Sequence, residues 1–268
     1  MHRLLPLLLC VAASTLACAK PKDTMTDAPE DPSHGEGHEH GHAEGEGHDH
    51  GHGHGHGHHA GSEHGDNGHG YKGHRFENAE EWAERFESPE RTAWQRPDAV
   101  VAKIAPATDA TIADLGAGTG YFAVRFAAAA SAGKVYAVDI EPGMVEYVGQ
   151  RAEREGLANL EAQLGQPNSP ALPAEAIDIA FMCNVFHHLA EPKAYFEAVA
   201  GSLREGGRVV ILDFKKQLPE DAPGPPESMR MSVETIAGIM AEAGYTLVEQ
   251  DTELLDYQVL LVFERAGA

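Results

Sequence analysis

The chain contains the sequence IADLGAGTG between Ile112 and Gly120. It reads as an apolar strand that runs into an acid and a glycine turn, after which residues 121–130 can form a helix. Glycines at 116, 118 and 120 allow φ angles closed to other residues and let a ligand lie against bare peptide. Dinucleotide-binding loops have the spacing G-x-G-x-x-G, whereas Tyr121 stands at the third glycine position here. The turn predicts a ligand-binding loop, and its spacing disfavours a nucleotide-dependent oxidoreductase.

The pattern acid-x-Gly-x-Gly-x-Gly, beginning at Asp114, resembles the first motif of the class I S-adenosylmethionine (SAM) methyltransferases. Asp139, Asp178, the sequence NVFHHL at 184–189 and the sequence LREGGRVVILDF at 203–214 are similar to later motifs of that family. The resemblance covers about residues 76–263, and it is strongest to small-molecule methyltransferases such as those that methylate quinone precursors. It implies that SAM is the cofactor and that a small molecule is the methyl acceptor.

The same resemblance implies a set of cofactor contacts. Asp139 lies about 20 residues past the glycine turn, where a carboxylate can accept both ribose hydroxyls, although it could instead cap the next helix. Met144 is similar to the family residue that packs against adenine. The usual acid after the third strand is absent, so Gln166, Asn168 or the backbone must meet the adenine. The predicted cofactor-binding residues are Asp114, Gly116, Ala117, Gly118, Gly120, Tyr121, Asp139, Ile140, Met144, Gln166 and Asn184.

Methyl transfer from a sulfonium requires the protein to position the acceptor, exclude water and accept any proton that the acceptor loses. His187 and His188 follow the fourth predicted strand and are the candidate catalytic residues, because imidazole titrates near neutrality. We expect at least one of the two to be structural, with a hydrogen bond to the backbone.

Residues near the start of the folded part extend the predicted site. Trp94 and Tyr121 could wall the sulfonium or the acceptor with their π-faces. Arg91 or Arg96 could meet the cofactor carboxylate. Alternatively, Arg91, Trp94 and Arg96 only pack the lid helices. Cys183, the single cysteine of the folded part, is predicted to be a small core residue, which excludes an arsenic-methylating enzyme of the usual several-cysteine type.

Alternating apolar strands and helices predict a doubly wound, Rossmann-like α/β fold with a seven-stranded sheet, an antiparallel edge strand and a preceding N-terminal helical lid. The predicted strands are 111–115, 134–139, 160–164, 177–183, 208–214, 246–250 and 258–263. The predicted helices are 121–130, 142–155, 192–203 and 232–243, and in the lid Ser88 is predicted to cap a helix that begins at Pro89. The domain boundaries are 71–106 for the lid and 107–268 for the SAM-binding domain.

The first residues predict a secretory signal peptide, residues 1–17, because two basic or polar residues precede an apolar run that is too short to span a bilayer. The sequence Leu16-Ala17-Cys18 resembles the lipobox of bacterial lipoproteins, which implies lipidation of Cys18; an ordinary cleaved signal is the alternative. We therefore expect a periplasm-facing lipoprotein of the bacterial cell envelope, in the outer membrane because Ala19 provides no inner-membrane retention signal. Initiation at Met25 would instead give a cytoplasmic protein.

Residues 18–70 form a tract rich in His, Gly and Glu. Fourteen of the 17 histidines lie between His34 and His74, and the tract has almost nothing apolar to bury, so it is predicted to be a disordered tether. It is either a solvated linker or a weak Ni, Zn or Cu site. The candidate metal ligands are His50, His52, His54, His56, His58 and His59.

The formal net charge of −22 argues against binding to nucleic acid or to an anionic membrane surface, and leaves the lipid anchor as the only predicted membrane contact. The sequence as a whole predicts a SAM-dependent methyltransferase for an unidentified small molecule. The alternative is an envelope metal-binding lipoprotein whose methyltransferase-like domain is only a binding module. It is kept open because SAM is made in the cytoplasm, whereas the leader directs the chain outward.

Overall fold

The computed structural model describes residues 79–267. The signal peptide, the lipidation site Cys18, the tether with its six candidate metal ligands and the first residues of the predicted lid lie outside the described residues. Those expectations therefore stay predictions.

The described chain begins with three lid helices and continues as alternating strands and helices. The lid helices are α1 (Ala79–Phe86), α2 (Pro89–Gln95) and α3 (Pro97–Ile104). The remaining helices are α4 (Ala123–Ala129), α5 (Pro142–Glu155), α6 (Pro192–Ala200) and α7 (Val233–Glu242). The strands are β1 (Thr111–Leu115), β2 (Lys134–Asp139), β3 (Leu160–Leu164), β4 (Ile177–Cys183), β5 (Leu203–Phe214), β6 (Tyr245–Asp251) and β7 (Gln258–Arg265).

All seven strands form one sheet in the order β3-β2-β1-β4-β5-β7-β6. Strands β1 to β5 are parallel, and β7 runs antiparallel to both of its neighbours, β5 and β6. This arrangement confirms the predicted doubly wound fold. The antiparallel strand lies one place inside the edge, because β6 pairs on its outer side. The loops after β1, β2 and β4 share one edge of the sheet, which is where ligands bind in this architecture.

Two hydrophobic clusters cover the two faces of the sheet. Ile112 of β1 packs with Phe126 and Phe181 in one cluster, whereas its neighbour Ala113 belongs to the other cluster with Phe196. Burial on both faces explains why β1, β2 and β4 are almost continuously apolar, a pattern typical of parallel strands between helix layers.

The bounds of β1 to β4 and α5 agree with the sequence predictions, whereas β5 begins earlier than expected. It starts at Leu203, which pairs with Ile177, and a register shift separates that pair from the ladder that resumes at Arg208. The residues between Leu203 and Arg208 are polar or glycine, so the sequence pattern did not predict the first part of the strand.

Helices α2 and α3 begin where the sequence predicted, at Pro89 and Pro97. The Ser88 hydroxyl accepts a hydrogen bond from the Arg91 backbone N–H at 3.2 Å, and Pro89 occupies the first turn of α2. Arg96 has a left-handed conformation, with φ of 45°, and separates α2 from α3 at Pro97. Within residues 79–267, no helix has the length and apolar character needed to cross a membrane.

Candidate active site

A cavity of about 600 Å³ opens at the carboxyl edge of the parallel strands. Its walls come from the glycine turn (Gly116–Gly120), the ends of β2 and β4, the lid helix α1 and the loop after β5. Its volume is typical of small-molecule sites. Among the predicted cofactor residues, those on the cavity wall are Asp114, Gly116, Ala117, Gly118, Tyr121, Asp139, Ile140, Met144, Gln166 and Asn184.

The three glycines of the turn have positive φ angles, and two of them have little or no room for a side chain. Gly116, Gly118 and Gly120 have φ of 76°, 54° and 84°. A Cβ on Gly116 would lie 2.5 Å from a Val185 methyl carbon. Gly120 is set back from the cavity wall, and a Cβ there would meet Val148 of α5 at 3.3 Å. The turn therefore presents backbone to the cavity, as the sequence predicted, with Gly120 serving the packing of α5.

Asp114 lies at the base of this turn and is only 2% exposed. Its Oδ2 atom is buried and has no hydrogen-bond partner among the described residues. Burial, and then the charge of Asp139, raise the pKa of the Asp114 carboxyl to about 7, although a backbone hydrogen bond from Ala123 and the charge of Arg91 act in the opposite direction. A buried carboxyl with an unused oxygen is suited to a cationic or hydrogen-bond-donating ligand.

Asp139 connects the glycine turn to the start of α5. One carboxylate oxygen accepts a hydrogen bond from the Gly118 N–H at 2.8 Å, and the other accepts one from the Glu141 N–H at 3.0 Å. Burial raises the pKa of the Asp139 carboxyl, while these backbone donors lower it. A carboxylate has about four acceptor positions, so two remain for a ligand. Capping the helix entrance and binding a ribose are thus compatible.

The residues predicted to meet adenine lie on the cavity wall: Met144, which is 1% exposed, and Gln166, together with the predicted cofactor residue Ile140. Gln166 forms an isolated bridge with Ser169, which turns the loop after β3. Of the two side chains that the sequence offered for this contact, Gln166 lies on the cavity wall and Asn168 does not.

The two histidines differ in their surroundings. The His187 Nδ1 lies 3.0 Å and 3.1 Å from the two carboxylate oxygens of Asp213 at the end of β5, and the His187 side chain is only 3% exposed. The side-chain partner of His187 is thus a carboxylate and not the backbone. The His188 ring stacks against His187 at a centroid distance of 4.2 Å, and both residues line the cavity. Both histidines therefore stay candidate bases, and Asp213 orients the ring of His187.

A buried glutamine pair joins the lid to the end of the sheet, and sequence reasoning missed it. Gln95 is fully buried, and its Nε2 donates to the Gln258 Oε1 at 3.0 Å and to the Cys183 Sγ at 3.1 Å. The Gln258 Nε2 then donates to the Asn184 Oδ1 at 2.6 Å. Cys183 is half-buried: it packs against the hydrophobic core, as predicted, and also lines the cavity. Burial raises the pKa of its thiol to about 12.

The structure separates the aromatic and basic candidates of the lid. Tyr121 lies on the cavity wall, with the Arg91 guanidinium 4.4 Å from its ring centroid. Trp94 instead packs against Phe214 at 5.7 Å, and the Arg96 guanidinium donates to the Leu254 carbonyl at 3.0 Å. Only Arg91 and Tyr121 of these predicted contacts line the cavity.

A second polar cluster attaches the lid to the glycine turn. The Thr119 hydroxyl donates to the Glu87 carboxylate at 3.0 Å, and the Arg151 guanidinium of α5 pairs with the same carboxylate and donates to the Thr119 carbonyl. Arg151 is only 11% exposed at its side chain. We call Glu87, Thr119 and Arg151 the lid clamp.

The loop after β5 supplies the rest of the rim. Gly224, Pro225, Pro226 and Met229 line the cavity, as expected for the stiff loop that the sequence indicated. Within residues 79–267 no group of three or more potential metal ligands is present. The candidate metal site of the tether lies outside the described residues.

Residues 113–211 match the family described as methyltransferase domain. The tRNA U34 carboxymethyltransferase of Desulfotalea psychrophila is 33% identical over 102 residues, which are 37% of this chain and 31% of that protein. The arsenite methyltransferase of Halobacterium salinarum is 28% identical over 52% of this chain and 38% of that protein. Aklanonic acid methyltransferase DauC of Streptomyces sp. strain C5 is 31% identical over 40% of this chain and 49% of that protein. The chain thus spans less than half the length of these relatives.

Among solved structures, a SAM-dependent methyltransferase from Aquifex aeolicus superposes with a TM-score of 0.63. It is 25% identical, and the match covers 68% of this chain and 96% of that one. The matched family begins inside β1 and ends inside β5, so it includes the glycine turn, Asp139 and the histidine pair but not the lid. Together, these matches show that residues 113–211 are similar to a methyltransferase domain and that the described fold is shared with a SAM-dependent methyltransferase.

Proposed function

We propose that this protein is a SAM-dependent methyltransferase that acts on a small molecule. The observation that carries the proposal is the unpartnered, buried Asp114 oxygen, which lies beside a bare glycine turn in the same cavity as Asp139. A charged, hydroxyl-bearing ligand is required to use both acids. SAM fits because it has an ammonium group, two ribose hydroxyls and an adenine ring.

In this proposal each part of the cavity has one task. Asp114 and the glycine turn hold the methionyl end, Asp139 binds the ribose, and Met144 with Gln166 encloses the adenine. SAM supplies a methyl group on a positively charged sulfur, which is activated for direct transfer. The protein then positions the acceptor, excludes water and takes up a proton if the acceptor carries one, for which His187 and His188 are the candidates.

A small acceptor fits the remaining space better than a macromolecule does. Apolar and aromatic side chains form much of the rest of the cavity wall, including Trp82, Leu189 and Met229. A chain with a formal net charge of −22 offers little attraction to tRNA. Arsenite is disfavoured because its methylation uses several thiolates, and the one thiol of the described domain, Cys183, stays protonated near neutrality.

Calorimetric titration of the purified full chain with S-adenosylhomocysteine (SAH), the product left after methyl transfer, tests the proposal. We expect saturable binding, and we expect Asp139→Ala to weaken it at least about tenfold because hydrogen bonds to a charged acceptor are lost. Glu146→Ala, an exposed change on α5, is the matched control and should bind like the wild type. Absence of binding to the wild type, or equal affinity of the Asp139→Ala variant, would contradict the proposal.

We also propose that the protein is an envelope lipoprotein with Cys18 lipidated, on the strength of the Leu16-Ala17-Cys18 sequence alone. The second candidate function, metal binding by an envelope lipoprotein, is favoured by the histidine tract. Cell fractionation with palmitate labelling of the wild type and of Cys18→Ser tests the location. An unlabelled cytosolic protein that begins at Met25 would overturn it and would place the protein where SAM is made.

A further inference from the structure

Arg91 lies on the cavity wall although it belongs to α2 of the lid, outside the span 113–211 that matches the methyltransferase family. No cofactor residue of the matched span carries a positive charge toward this part of the cavity. The lid thus adds a chemical group that the matched domain lacks.

The Arg91 guanidinium is held in one orientation by its neighbours. Its Nε donates to the Gln95 Oε1 at 2.6 Å, and its Nη1 donates to the Phe86 carbonyl at 3.0 Å. One face of the group covers the Tyr121 ring. Because Gln95 is itself fixed by Gln258 at 3.0 Å, the guanidinium is positioned before any ligand arrives.

The charge of Arg91 is left without an anionic partner. Within residues 79–267 its guanidinium forms no ion pair with a carboxylate, although it lies near enough to Asp114 to lower the pKa of that carboxyl. All of its described hydrogen bonds go to neutral oxygens. A half-buried cation of this kind favours a ligand that carries a carboxylate or a similar anion.

The methionyl end of SAM carries one carboxylate and one ammonium group. On the cavity wall the Arg91 guanidinium lies near Asp114, whose carboxyl has an unused oxygen, whereas the second guanidinium on the wall, that of Arg85, lies over the Trp82 ring. We propose that Arg91 binds the carboxylate of the methionyl end, so that the lid completes the cofactor site. This inference rests on the proposed function. It also selects Arg91 over Arg96, whose guanidinium is bonded to the Leu254 carbonyl.

The test compares two ligands that differ only in the carboxylate. Full-length protein is titrated with SAH and with decarboxylated SAH, 5′-deoxy-5′-(3-aminopropylthio)adenosine, which keeps the ammonium group. We expect the wild type to prefer SAH by about 10- to 100-fold, the range for a charged hydrogen-bonded pair. Arg91→Met should remove this preference by weakening SAH alone. Arg96→Met, the matched control in the same segment, should keep it.

Arg91→Lys serves as the second variant, because it retains the charge and is tolerated if loss of the whole side chain unfolds the lid. It should keep part of the preference, since an ammonium cannot reproduce the fixed fork of the guanidinium. Equal weakening of both ligands by Arg91→Met and Arg91→Lys, or an unchanged preference in both, overturns the role of Arg91. A wild type that binds neither ligand overturns the proposed function itself, and a wild type that binds both equally overturns only this inference.

Discussion

At the scale of the single residue, Asp114 combines a buried position with a pKa of about 7 and an oxygen that no described group satisfies. A carboxyl whose pKa is higher in the folded than in the unfolded chain binds more protons when folded. It therefore stabilises the fold at low pH relative to high pH, and this contribution is lost as the pH rises from about 4 to about 7. When no cationic ligand is bound near Asp114, the domain therefore has this lower stability at neutral pH.

We predict that Asp114→Asn removes this pH dependence. The free energy of unfolding of the variant, relative to the wild type, should increase between pH 4.5 and pH 7.5 by up to about 1.4 kcal/mol per pH unit. Urea unfolding at several pH values measures it. The histidine tract also titrates in this range, but it is the same in both proteins and cancels. Parallel stability curves for the two proteins would contradict the prediction.

Asp213 is predicted to set the tautomer of His187. Its Oδ1 accepts a hydrogen bond from the Phe214 N–H at 2.8 Å. In Asp213→Asn this donor should retain the amide oxygen, which lies 3.0 Å from the His187 Nδ1, while the amide NH₂ replaces the oxygen at 3.1 Å. The Nδ1–H form then loses one of its two acceptors, and the share of the Nε2–H form should rise. Long-range ¹⁵N NMR, with the His187 signal assigned from its loss in His187→Gln, should show this change; the same Nδ1–H form in both proteins would refute it.

At the scale of the element, the glycine turn depends on one close contact more than on flexibility. We predict that Gly116→Ala destabilises the domain by about 2–4 kcal/mol, because the new methyl group would overlap Val185 and alanine is strained at positive φ. Gly149→Ala in α5, where a Cβ meets nothing within 4 Å, is the control and should be neutral or stabilising. Urea unfolding of both variants measures the difference, and equal effects would show that the turn tolerates a side chain.

The lid clamp should hold α1 against the glycine turn. We predict that Glu87→Gln increases amide hydrogen exchange across residues 79–95 and lowers the free energy of unfolding by about 1 kcal/mol, since Arg151 keeps its bonds to Glu155 and to the Thr119 carbonyl. Glu197→Gln, which removes the exposed pair with Lys193, is the control. Unchanged exchange in the lid would show that the clamp does not hold it.

The elements that the sequence predicted well have local causes. Strand β2 ends at an acid, Asp139, that follows an apolar run, and β1 ends one residue after Asp114 at the start of the glycine turn. Helix α5 begins at Pro142 and ends before Gly156. The bounds of these elements could therefore be predicted from the sequence. The Gln95–Gln258 pair could not be predicted, because a buried amide in a helix looks like any polar residue until its distant partner is known. The His187–Asp213 contact was missed for the same reason, although both residues lay at predicted strand ends.

At the scale of the whole molecule, the chain joins an acidic, histidine-rich tract to a domain whose described part has no metal-ligating cluster. We predict that deletion of residues 30–70 abolishes Ni, Zn and Cu binding and leaves the SAH affinity within about twofold. Parallel titrations with each metal and with SAH measure both properties. If the deletion abolishes SAH binding, or leaves metal binding intact, the tract does not have the separate role that its sequence indicates.

The hydrogen bond between Gln95 and Gln258 joins residues that are 163 positions apart. Contacts of such high sequence separation form late in folding, because the entropy of closing a long loop is lost before the contact repays it. The glycine turn can assemble from neighbouring segments, but Arg91 is fixed only after the last strand has docked. A nascent or nicked chain without β7 would therefore have the glycine turn but not the positioned Arg91 guanidinium. Tight cofactor binding would then indicate that synthesis and folding of the chain are complete.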